Sequence, residues 1–164
     1  MNRLWLLALP FALVLSACAG SSGSSVDPNT PNLVYSSDIT SVETNLKTFN
    51  GGTSVAGWNR LTGATTVDGA AAQIEMLASV DYINGSGDFF GFMTLTAADS
   101  STLTMRMEGE AVKAASGETT FTSDLQILGG TGIYNNATGT GHFDGSRSAA
   151  LGGPVHIDVK ATVH

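Results

Sequence analysis

Three charged side chains, Arg106, Glu108 and Glu110, stand two residues apart and alternate with Met105, Met107 and, further on, Ala111. On an extended strand such residues share a face at spacings of about 7 Å. Turned inward, Arg106 would hold Glu108 charged, and a desolvated glutamate would carry a raised pKa suited to proton transfer. Turned outward, the three form a solvated face behind a methionine core, and the rarity of buried charge favours that orientation. His156, Asp158 and His164 also share a face, but eight residues of extended chain put the two histidines roughly 26 Å apart, too far for one metal ion. His142 could join His156 only across neighbouring strands, and no cysteine pair accompanies them, so no metal site is assigned. A Ser-His-Asp set lacks the Gly-x-Ser-x-Gly elbow that would support it. Trp58 and Tyr134 are suited to a barrel mouth or to packing at its rim. The candidate pocket is therefore Arg106, Glu108, Glu110, Tyr134 and Trp58, with no catalytic residue assigned and no cofactor expected.

The chain's single cysteine, Cys18, offers a different chemistry. Before it stand Arg3, the apolar run Leu4–Leu15 and the small residues Ser16 and Ala17, a secretory signal too short to span a bilayer stably. The tetrad Leu15-Ser16-Ala17-Cys18 resembles the lipobox of bacterial lipoproteins, in which cleavage occurs just before a cysteine whose sulfur already bears diacylglycerol. The resemblance implies residues 1–17 as a lipoprotein signal peptide and Cys18 as the lipidated, palmitate-bearing N-terminus of the mature chain. Each buried acyl methylene contributes roughly 0.8 kcal/mol, so two or more chains anchor stably where one is marginal. Ordinary signal cleavage nearby would instead export an unpaired thiol into an oxidising space. Ala19 stands where, in the resembled family, an aspartate favours inner-membrane retention; the expected location is the cell envelope, lipid-anchored, at the outer membrane of a two-membrane cell.

Without Arg3, six basic residues face fourteen acidic ones, a net charge of −8. Nucleic acid and anionic lipid headgroups are poor partners for such a surface. Residues 18–32, rich in Gly, Ser, Pro and Asn, show no periodic apolar face and read as a flexible tether. About 14 such residues reach on the order of 20 Å. Residues 33–164 are long enough to form one domain with its own core.

From Leu33 onward the apolar residues alternate with period two, and turn residues interrupt them at short intervals. Ala70–Ile83 sets Ile74, Met76, Ala78, Val80 and Tyr82 against Gln73, Glu75 and Asp81, before the turn Asn84-Gly85-Ser86-Gly87. Phe89–Ala98, Thr102–Ala114, Thr119–Leu128, Tyr134–Asp144 and Val155–Val163 read the same way, with weaker signals over Ser37–Phe49 and Val55–Val67. The count is about eight strands. The pattern predicts an all-β domain, an antiparallel up-and-down β-barrel, with a sandwich as the rival; closure removes the exposed edges that Thr-rich strands would otherwise offer.

The segment Gly129-Gly130-Thr131-Gly132-Ile133-Tyr134-Asn135-Asn136-Ala137-Thr138-Gly139 resembles the dirigent and allene oxide cyclase barrel superfamily. There a strand ends in Gly-Gly-Thr-Gly, an aromatic turn follows, and Ala-x-Gly opens the next strand. The resemblance covers this hairpin and, beyond it, only the strand count. It implies a barrel whose mouth takes a small apolar ligand, with cyclase or isomerase chemistry in some members, and assembly into homo-oligomers through barrel exteriors. A phosphate loop is set aside, because no Lys-Ser or Lys-Thr pair follows the glycines. The glycines are read as architecture. The expected function is a membrane-anchored, non-catalytic binding module for a small apolar ligand or protein partner; a cyclase-like enzyme and a structural envelope protein are the alternatives.

Overall fold

The computed structural model describes residues 30–148 and 153–164. Eight strands carry the fold: β1 Leu33–Phe49, β2 Ser54–Val67, β3 Ala70–Ile83, β4 Ser86–Thr96, β5 Thr102–Lys113, β6 Thr119–Gly130, β7 Gly139–Arg147 and β8 Val155–Val163. Each pairs antiparallel with its chain neighbours, and β8 returns to β1, closing the barrel. This is the up-and-down barrel that the alternation predicts, with the sandwich excluded. The signal segment, Cys18 and the tether up to residue 29 lie outside the described residues. Asn32, read as tether, belongs to the barrel: its side chain donates to the Val163 carbonyl at 2.8 Å and accepts from the Val163 N–H at 2.9 Å.

Alternation decides which side chains meet. Met93, Leu95, Leu103, Met105, Met107, Ile157 and Val159 are fully buried along the barrel axis, while their strand neighbours face outward. Phe89 links Phe121 edge-on, with ring centroids 6.1 Å apart, to Phe143 at 5.9 Å. In β1 the inward parity holds from Leu33 to Ser41 and then breaks: Ser41 pairs Leu61 and Glu43 pairs Arg60, leaving Val42 as the extra residue of a bulge. Beyond it the even positions point inward, which brings Leu46 to the barrel lumen. The weak periodicity of this stretch has that cause.

The strand read over Tyr134–Asp144 begins later, at Gly139; Tyr134 ends a short 3₁₀ turn, Gly132–Tyr134. The turn is fixed by side chains of the adjoining loops. Thr131 Oγ1 accepts from the Thr102 N–H at 3.1 Å, and Ser101 Oγ accepts from the Ile133 N–H at 3.1 Å. Gly139 then enters β7 at φ 143°, where a Cβ would stand 2.0 Å from the Thr162 carbonyl oxygen. Only glycine fits there.

The turns at 49–54, 83–86 and 113–119, with the end of β7 at Arg147 and the start of β8 at Val155, gather at one end of the barrel, hereafter the mouth. The turns at 67–70, 96–102 and 130–139 gather at the opposite end, where Asn32 and His164 also lie.

Candidate functional site

Just inside the mouth, the packing leaves a cavity of about 50 Å³. Its wall is apolar: Met76 and Ala78 from β3, Phe89 from β4, Phe121 from β6, Phe143 from β7 and Ile157 from β8. The β1–β8 ladder stops at the Ile39–Val155 pair, so the wall formed by β1 and β2 runs on without β8 beside it. The cavity shares Tyr82 and Arg147 with a wider hollow of about 630 Å³ at the mouth, bordered by Gly51, Thr53, Asn84, Lys113 and Ser148.

Beside the Tyr82 phenol, two polar side chains break the apolar wall, Asn59 and Arg147, each 7% exposed. Arg147 closes β7, and its guanidinium carbon sits 5.3 Å from the centre of the Phe121 ring. It forms no ion pair with a described residue. Asn59 donates through Nδ2 to Ser41 Oγ at 2.7 Å. Among the described residues, the fully shielded side-chain polar atoms without a hydrogen-bond partner are Asn59 Oδ1 and Arg147 Nε, and both residues line this one cavity. Buried polar groups elsewhere are satisfied: Ser37 donates to the Ala64 carbonyl at 3.0 Å, and Ser123 to the Glu108 carbonyl at 2.9 Å. Unmet groups of this kind cost stability and call for an explanation.

Burial lowers the Arg147 pKa from its ordinary value, while Tyr82 nearby acts in the opposite sense. Burial likewise pushes the Tyr82 phenol up to about 12, against the smaller opposing effect of Arg147. Near neutral pH the site thus presents a cation, a neutral phenol and an amide in an apolar wall. Every Asp and Glu among the described residues is exposed. The chemistry on offer is hydrogen bonding and charge recognition, with no carboxylate placed for proton transfer inside the barrel.

The candidate pocket read from the sequence does not assemble. Arg106, Glu108 and Glu110 lie on the outer surface of β5, as the outward reading has it, and Arg106 pairs with Glu108 there. Trp58 is half-buried on the outer face of β2, in register with Asn45 and Ser79. Tyr134 packs at the far end from the mouth, beside Asp68 and Val67. His142 and His156 are engaged separately, with Asp124 at 3.2 Å and Asp38 at 2.8 Å. No group of three such side chains placed to hold a metal ion occurs among the described residues. Arg147 and Asn59 escape the sequence reading although a parity signal is present: Phe143, Gly145 and Arg147 share one face of β7, and Asn59 shares the face of Leu61. Ending that strand at Asp144 hides the first. No family model, no curated protein and no solved structure matches the chain.

Proposed function

We propose that this chain is a lipid-anchored envelope protein whose barrel holds a small apolar ligand at the mouth, without turnover. The observation that carries the reading is the apolar cavity under a wider hollow, at the barrel end opposite to Asn32. The resemblance of the glycine hairpin to dirigent and allene oxide cyclase barrels agrees with a ligand in the mouth, and the lipobox with an anchor at Cys18. A ligand seated there lies away from the point where the tether joins the barrel. The cyclase alternative would have to draw on Tyr82 and Arg147, because the exposed carboxylates cannot reach a substrate in the cavity. Titration of the protein with propan-1-ol, followed on the methyl resonances of Met76 and Ile157, is expected to give saturable shifts confined to the cavity wall. Absence of such shifts would dispose of the ligand reading. For the anchor, Cys18→Ser is expected to abolish metabolic palmitate labelling and release the protein from the membrane fraction; unchanged labelling refutes the lipid assignment.

A further inference from the structure

A cavity that needed only to take up apolar matter would be better lined by apolar side chains throughout. The site instead holds the one buried basic residue among those described, its Nε without a partner and no carboxylate paired with its guanidinium. The ring of Phe121 accounts for one face of the guanidinium but accepts nothing from its edge. Asn59 has the same character. Its amide spends one end on Ser41 and leaves the other without a partner; with Ser41 donating instead, the unpartnered end is the NH₂ group.

We infer that the ligand is a small monocarboxylate, its anionic head bound by Arg147 and Asn59 and its short apolar end seated against Met76, Ala78 and Phe143. The inference deepens the reading of the cavity as a ligand site and rests on it. Its chemistry is that of a low-dielectric anion site. A carboxylate oxygen accepts from the Arg147 guanidinium, which is already held over Phe121, so that little further ordering is needed. The second oxygen can take the Asn59 NH₂. The dimensions set the size of the apolar end. Benzene occupies a cavity of about 150 Å³, so the 50 Å³ here takes on the order of two carbon atoms, the apolar end of propionate, and the carboxylate head stands at the level of Arg147, where the cavity meets the hollow at the mouth. A phenol rather than a carboxylate at Tyr82 avoids repelling the anion.

The test compares propionate, propan-1-ol and propylamine on the full-length protein, by the Met76 and Ile157 methyl shifts. Propionate is expected to bind at least tenfold more tightly than propan-1-ol, and propylamine not at all. Arg147→Met, which keeps an apolar stem, is expected to erase the preference for propionate while leaving propan-1-ol binding in place, and Arg147→Lys to restore part of it. Asn59→Asp should weaken propionate alone. Equal binding of propionate and propan-1-ol would overturn the anion assignment and leave the apolar site standing. Failure of all three probes would remove both. The comparison among probes on the unaltered protein decides the matter even where a variant fails to fold.

Discussion

Asn59 carries a trade between stability and binding that can be measured. Its unpartnered amide oxygen is a cost to the ligand-free barrel, and the cavity beside it has room for an apolar replacement. Asn59→Leu is expected to raise stability by about 1 kcal/mol in urea unfolding while abolishing the preference for propionate over propan-1-ol. A loss of stability instead would mean that the bond to Ser41 outweighs the unmet group. Arg147 shows the limits of sequence reading at this scale. A lone arginine after Asp144-Gly145-Ser146 has the composition of a turn; its burial follows from β7 running three residues further than the apolar pattern requires, on the inward parity of Phe143. Conversely, Arg106, Glu108 and Glu110 draw attention by spacing, yet equal spacing on a strand says only that they share a face. Which face is legible from Met105 and Met107, whose burial turns the charges outward.

Among the elements, the β1–β8 seam has its own electrostatics. His156 on β8 faces Asp38 on β1, with Nδ1 2.8 Å from the carboxylate, and Asp158 lies 3.6 Å from Nε2; Ser36 on β1 bonds Asp158 in turn. The hydrogen bond to Asp38 is the main cause that raises the His156 pKa above its ordinary 6.5, with Asp158 adding to it. A raised folded-state value means that the seam gains stability when His156 is protonated. That gain is complete below about pH 6.5 and fades as the pH climbs through the folded value. Melting temperature should therefore fall as the pH rises above about 6.5, and His156→Gln should flatten this part of the profile; an identical slope in the variant would show that the seam does not titrate. The strands themselves are readable where one face of each is buried: Ala70–Ile83 and Val155–Val163 have the bounds that their alternation predicts. β1 is not, since the bulge at Val42 flips its parity midway, and neither is the start of β7, where Ser101 and Thr131 hold a 3₁₀ turn that no periodicity announces.

The molecule as a whole wears its acidity in register. Asp81, Asp88, Glu110, Thr122, Asp144 and Asp158 are successive cross-strand partners from β3 round to β8, so like charges stand directly opposite at three junctions. Such pairs destabilise, each by about 0.2–1 kcal/mol. Asp88, flanked on both sides, is the place to relieve it: Asp88→Asn is expected to stabilise by about 0.5 kcal/mol, and added salt to raise the melting temperature of the parent more than that of the variant. A destabilised variant would show that Asp88 is held by contacts stronger than this repulsion. The closing of the ring bears on how the protein comes into being. Asn32 and Val163, 131 residues apart, are bonded to one another, and β1 finds its second neighbour only in β8. Seven strands could form a sheet as the chain emerges, but with two bare edges, and the seam that seals them is the contact of longest loop closure. Closure of the barrel thus waits on the residues from Val155 onward; a chain stalled or cut before them would be left as an open, adhesive sheet.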